Sequence, residues 1–471
     1  MVSLTLTKTE DLDGNNEQPI FKNRAVALLP LVLFFLSCML LFTHFMTYDM
    51  HVLAGAAFIG LMITGFIATN KEKYWESVIK GIASKESVTI FLLLLLIGMF
   101  SQMIKICGLS NGLIWFAQSF HFSEAGFIAF TFVSVCIVAT ATGSSIGTMF
   151  AAFPVFFHTG NIVGVDGAML AGAIVSGCIF GDNLAPISDT TIASASTQIM
   201  KHSGKSADIG GVVRSRFKYS FIASVITISI YLIIGGHQTL DYSKATEHIS
   251  AFNLIMLLPG LVLLVISKVT NNIFIATSLA LAFGIILGLI TGIFDINQVF
   301  YSDGTLGNHA TGFLSDGIQS MMGTAVLVVS IFGIMGIIRA AKVVESLTDR
   351  LMSSACCQTP RGFEIVCAVV VNVVTVLFGG VTSATILTVG PIINEAGQRL
   401  NIHPYRRANM LDGFANTLGV VIPFFSVFVF ISSALSNISP NEVAGAFIYP
   451  MILFVVLFIS IITGFGRKSE Y

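Results

Sequence analysis

Uncharged apolar runs long enough to cross a lipid bilayer recur from Ala25 almost to the last residues, and they constrain this chain more than any motif in it. A hydrocarbon core of about 30 Å needs about 20 helical residues. Single runs near that length lie at Ala25–Thr43, Val52–Thr69, Ser87–Ile104, Tyr219–Gly236, Phe252–Ser267, Ile273–Ile293, Gly323–Ile338 and Val443–Thr463. They are continuous, whereas a membrane β-barrel strand needs only about ten residues of alternating polarity. The expected fold class is therefore an all-α polytopic membrane protein. Composition agrees: 55% of residues are hydrophobic and 10% charged, against roughly a quarter charged in a soluble domain. A net charge of -1 offers no basic surface to nucleic acid. The seven cysteines are scattered without a C-x-x-C pair, which excludes a disulfide framework or a zinc site. The run after Arg24 continues to Tyr48, beyond the roughly 7 to 15 residues of a cleaved signal core. Residues 1–24 are accordingly expected to form a cytoplasmic tail ahead of a first span.

Two stretches, Ala125 to Met200 and Ile365 to Leu435, are apolar for too long to be single spans and are interrupted by Gly, Pro, Asp and hydroxyl residues. Each is expected to supply a hairpin followed by one interrupted crossing helix. With that assignment 22 of the 24 Lys and Arg residues fall on one side, leaving Lys105 and Lys244, so that side is expected to be cytoplasmic. The two halves, 25–240 and 251–466, then run in opposite senses. A shift of 237 residues superposes Gly143 on Gly380, Thr148 on Thr385, Pro154 on Pro391, Gly160 on Gly397, Ala171 on Ala408, Pro186 on Pro423 and Ser196 on Ser433. Most are Gly or Pro, the residues that decide where a backbone bends. Inverted repeats with breaks in matching places point to a secondary transporter with a site near the midplane.

The densest polar segment in an apolar context is Gly181-Asp182-Asn183-Leu184-Ala185-Pro186-Ile187-Ser188-Asp189-Thr190-Thr191. Pro186 should break the helix and free carbonyls at membrane depth, which a cavity, a partner helix or an ion must satisfy. Asp182 and Asp189 are seven residues apart and are expected to share a face if the break is modest. Two carboxylates, an amide and several hydroxyls suit a small hard cation. They also suit a proton, because burial favours the neutral form of a carboxyl, so proton and cation compete for the same oxygens. The candidate ion ligands are Asp182 and Asp189, aided by Asn183, Ser188, Thr190, Ser145 and Thr148. The last two belong to Gly143-Ser144-Ser145-Ile146-Gly147-Thr148, read as the tip of the first hairpin. That segment lacks the Lys of a phosphate-binding loop.

The matching tip is Gly380-Val381-Thr382-Ser383-Ala384-Thr385, and the matching broken helix holds Asp412, Asn416, Thr417, Pro423 and Ser426. Thr382, Thr385, Asp412 and Asn416 are the second-half cavity candidates. Asp412 is expected either to join the cavity or to pair with Arg406 or Arg407. The shift places Asp182 on Gly419 and Asp189 on Ser426, so the carboxylates are not repeated. His158, Asp166, Glu364, Glu395 and Asp316 lie near span ends and receive no role. Gly284, Gly288 and Gly292 form a smooth helix-packing face, and Lys71–Glu86 and Ala340–Ser354 are expected to contain surface helices.

The 181–191 segment, with the two tips, resembles the NhaC-type sodium/proton antiporters of bacterial inner membranes. The resemblance implies a gradient-driven, non-enzymatic carrier without a cofactor, with sodium and protons as substrates and Asp182 and Asp189 carrying them. It leaves a homodimer open. The family is also similar to carriers that exchange organic solutes such as malate and lactate or amino acids, in which Arg406, Arg407 or the hairpin tips would hold a carboxylate.

Overall fold

The computed structural model describes residues 20–45, 49–236, 240, 251–270, 272–302 and 310–470, and the account below concerns these. Lys8 and Lys244 lie outside them, as does most of the 1–24 tail. Among the described residues there are no strands, only isolated bridges, and nine helices are long and apolar enough to cross a membrane.

The first half contains α1 (Leu29–Thr43), α2 (Met50–Ile67), the amphipathic α3 (Lys71–Ile82), α4 (Lys85–Ile106), α5 (Leu109–Ser119), α6 (Glu124–Thr142), α7 (Ser145–Ala152), α8 (His158–Ile162), α9 (Gly167–Leu184), α10 (Asp189–Ser196) and α11 (Ile209–Ile234). The second half contains α12 (Leu257–Thr270), α13 (Ile273–Thr291), α14 (Ile296–Val299), α15 (Phe313–Ala340), α16 (Val343–Met352), α17 (Pro360–Leu377), α18 (Thr382–Arg399), α19 (Pro404–Ala415), α20 (Leu418–Val421), α21 (Val427–Ser436), α22 (Pro440–Gly445) and α23 (Ile448–Thr463). Helix starts are set by side chains that accept orphan amides: Ser123 from Gly126, Asp166 from Met169, Asp208 from Gly211 and Thr359 from Gly362.

Two pairs of helix starts keep the 237-residue spacing. Ser145 and Thr382, which open α7 and α18, are 237 positions apart, and so are Gly167 and Pro404, which open α9 and α19. Both long polar-interrupted stretches are a hairpin followed by a broken helix. The tips turn on left-handed glycines, Gly143 at φ 66° and Gly379 and Gly380 at φ 61° and 81°. In the first hairpin Pro154 sits in a widened π-type turn, Phe153–Phe157, which takes up its missing amide. In the second, Pro391 lies inside α18.

Several boundaries differ from the expectation. α11 and α15 begin ten residues ahead of the apolar runs at Tyr219 and Gly323; in α11 Arg216 packs inward, and in α15 Phe313, Gly317 and Met321 do. Val443 belongs to the separate short α22. Of the three packing glycines, Gly284 and Gly288 abut Met103 and Phe294, while Gly292 is a left-handed cap with open space beside it.

Packing sorts the helices into two bodies, each drawn from both halves. α15 runs against α4, α2 and α3, with α1 on α2 and α12 on α13. The second body pairs α6 with α9, α11 with α23, α17 with α18 and α19, and α10 with α18 and α19. Both breaks lie in this second body, so the polar groups of the two halves meet within one packed unit.

Candidate functional site

The break in the first half spans Ala185 to Ser188. Asp182 lies in the last turn of α9, and only 2% of it is exposed. Ser188 Oγ donates to Asp182 Oδ1 at 2.6 Å, and Ser145 Oγ, from the first tip, donates to Oδ2 at 3.2 Å. Ser188 is also the cap of α10, accepting the Thr190 amide at 3.2 Å, and its hydroxyl lies 2.9 Å from Thr190 Oγ1. Asp189 opens α10, is exposed, and accepts the Thr190 amide at 3.0 Å. The two aspartates therefore do not share one helical face. The break turns α10 away from α9, and Ser188 with Thr190 bridges between them. Among the described residues no cationic side chain pairs with Asp182, and no cluster of three or more His, Cys, Asp or Glu side chains is present.

The tips are seated on the breaks. A Cβ on Gly143 would lie 2.6 Å from Ile187 Cγ1, and one on Gly380 would lie 2.8 Å from Ser426 Oγ. Val427 donates its amide to the Gly379 carbonyl at 2.8 Å, completing the second junction. Thr148 does not reach Asp182; its hydroxyl lies 2.8 Å from Thr142 Oγ1 and braces the first tip. Thr385 donates to the Val381 carbonyl of its own turn, and Thr382 is buried at the start of α18. Asn183 turns its side-chain nitrogen to Ser220 Oγ at 2.9 Å and Tyr449 OH at 3.3 Å, leaving its buried side-chain Oδ1 without a partner.

The second break is neutral and is held by Asn372 of α17, whose Oδ1 accepts the Gly419 amide at 2.9 Å and the Thr417 hydroxyl at 3.1 Å. Asn416 donates to Asp412 Oδ1 at 2.8 Å, while its own side-chain oxygen and Ser426 Oγ are buried without partners. Asp412 pairs with neither Arg406 nor Arg407. Its partner is Arg216 of α11, at 2.5 Å, with both side chains sealed from solvent. In sequence Arg216 lies between Arg214 and Lys218; alternate positions on a helix point different ways, and only packing selects the inward one. Asn372 was legible as a polar residue in an apolar run, but nothing in the sequence connects it to Gly419.

Arg406 and Arg407, in α19, are likewise buried. Arg406 pairs with Glu364 at 2.8 Å and donates to Tyr219 OH at 2.8 Å, and Arg467 reaches the same Glu364 at 2.6 Å. Glu364, given no role from sequence, is thus the hub of a buried network. Arg407 binds the Ile402 and Ile199 carbonyls and pairs with Glu470 at 3.3 Å. A cavity of about 820 Å³ opens elsewhere, between α3 and α15, and contains none of the aspartate cluster.

A family model described as the Na+/H+ antiporter family matches residues 198–466. The Na(+)/H(+) antiporter NhaC of Bacillus subtilis is 25% identical over 423 residues, 84% of this chain and 88% of its own length. The NhaC of Alkalihalophilus pseudofirmus is 26% identical over 364 residues, covering 73% and 74% of the two chains. A malate-2H(+)/Na(+)-lactate antiporter of Bacillus subtilis is 23% identical over 295 residues, 59% of this chain and 60% of its own.

Proposed function

The chain belongs to the Na+/H+ antiporter family, and on that footing we propose that it exchanges sodium for protons by alternating access, with Asp182 and Asp189 as the ion-carrying groups. The observation that carries this reading is the environment of Asp182. It is a buried carboxylate served by two hydroxyls and by no cationic side chain among the described residues. A charge in that position is costly unless something positive joins it. A proton neutralises it directly. A sodium ion does so with the Ser188, Ser145, Thr190 and Asp189 oxygens at hand, an all-oxygen set of the kind a hard cation takes. One site that must hold one or the other cation is sufficient for obligatory exchange. In this reading the two halves cross a bacterial inner membrane in opposite senses, with residues 1–24 in the cytoplasm.

The organic-anion alternative requires a free buried cation. Arg406, Arg407 and Arg216 are already committed to Glu364, Glu470 and Asp412, which counts against it.

The test is sodium addition to proteoliposomes carrying a trapped pH dye, without organic solute. Sodium-driven proton flux in the wild-type chain, lost in Asp182→Asn and Asp189→Asn, is the expected result. A wild-type chain that moves no protons on sodium addition overturns the reading.

A further inference from the structure

Arg216 stands where the broken helices of both halves meet. Besides Asp412, its Nη1 donates to the Asn183 carbonyl at 2.7 Å, the oxygen freed by the break in the first half, and to Thr191 Oγ1 at 3.2 Å. Its Nη2 donates to Ser194 Oγ and its Nε to Asn409 Oδ1, at 3.3 and 3.2 Å. One guanidinium from α11 therefore joins α9, α10 and α19. Asp412 is equally occupied, because Ser194 Oγ also donates to its Oδ2 at 3.3 Å and Asn416 takes its Oδ1.

Asp182 and Asp412 are both buried carboxylates in the same packed body, and they are served differently. Asp182 has hydroxyl donors only, and Asp412 has a fixed cation. A guanidinium does not release its proton in a protein. Separating a buried pair leaves two uncompensated charges, at a cost well above that of moving one ion. Asp412 consequently has no vacancy for a proton or for sodium.

We propose that Arg216 is a tethered counter-ion that withdraws Asp412 from the exchange cycle, leaving Asp182 and Asp189 as the carboxylates that take up ions. The inference rests on the exchange reading and adds a positioning residue to it. Arg216 touches no transported ion. It acts by neutralising Asp412, and Asp412 in turn shields the sodium site from the positive charge of Arg216. A bare Arg216 repels sodium from the site, a bare Asp412 competes with Asp182 for the ion, and the pair is neutral towards it.

That reciprocity sets the experiment: the sodium KM of dye-reported proton flux in proteoliposomes for wild type, Asp412→Asn, Arg216→Gln and the double variant. Asp412→Asn leaves a bare guanidinium beside the cation site and is expected to raise the sodium KM by roughly tenfold or more. Arg216→Gln leaves Asp412 uncompensated, so its sodium dependence is also expected to depart from wild type. The double variant removes both charges and is expected to return the sodium KM to within about threefold of wild type; a purely structural role of Arg216 lowers the amount of folded protein and the maximal flux instead, and leaves the sodium KM of what remains unchanged in every variant. A double variant as impaired as the worse single variant overturns the proposal. Where a neutral variant fails to fold, Arg216→Lys decides: it keeps the charge and is expected to exchange, and a folded Lys variant without exchange overturns the counter-ion role. Absence of flux in the wild-type protein is a separate outcome that defeats the exchange reading itself.

Discussion

Ser188 and Asp182 are joined at 2.6 Å across the break in the first half, and the same Ser188 oxygen caps α10 by accepting the Thr190 amide. One hydroxyl thus sets both the direction of α10 and the environment of the carboxylate.

Ser188→Ala should therefore impair two things at once. Loss of the cap costs about 1 kcal/mol, read as a lower thermal midpoint in detergent. Loss of the donor leaves Asp182 with Ser145 alone, and the sodium KM of proton flux is expected to rise several-fold, by roughly 1 kcal/mol of binding. Ser188→Thr keeps the hydroxyl and should restore most of both; a Thr variant no better than Ala contradicts the assignment.

The seating of tips on breaks makes Gly143 and Gly380 exacting positions. Each combines a left-handed φ with a neighbour under 3 Å from a built Cβ. Gly164 has a φ of 81° with open space around it. Gly164→Ala should cost only the backbone term of about 1–2 kcal/mol. Gly143→Ala and Gly380→Ala should in addition displace Ile187 or Ser426 and reduce transport far more. Equal transport by all three variants would show that the tips do not position the breaks.

Glu364 serves two arginines, of which Arg406 is 2% exposed and Arg467 21% exposed. Glu364→Leu strands the Arg406 guanidinium and is expected to destabilise the fold by about 3–5 kcal/mol. Replacing Arg406 and Glu364 together with apolar residues should recover much of that. The exposed Arg399–Glu395 pair is a control, since Glu395→Ala is expected to shift stability by less than about 1 kcal/mol. Thermal unfolding in detergent ranks the three.

His403 caps α19 by accepting the Tyr405 amide at 3.2 Å, and partial burial holds its imidazole below the usual histidine range, with Lys468 and Arg407 adding to the effect and Glu470 opposing it. The unfolded chain then binds the proton more readily than the folded one, so stability falls as pH drops below about 6.5. His403→Asn keeps a capping oxygen without the titration. Its melting temperature should be less sensitive to pH between about 7 and 5 than that of wild type; identical slopes would remove His403 as a source of acid sensitivity.

Much of this molecule was legible before folding was considered. Apolar run length determined an all-helical membrane architecture, because in lipid the backbone must satisfy itself within the segment. Gly143, Gly380, Pro186 and Pro423 announced both tips and both breaks, because φ and the missing amide are properties of single residues. The Asp182 segment announced a polar site for the same local reason. What tertiary structure alone decided was which charges meet. Arg216, Arg406 and Arg407 counted among the cations expected on the cytoplasmic side, yet each found a carboxylate distant in sequence: Asp412, Glu364 and Glu470. Asp182 found none among the described residues. That difference, a compensated carboxylate beside an uncompensated one, arises from the packing of α11 against α9, α10 and α19, a property of three-dimensional contact that the spacing of residues along the chain does not encode.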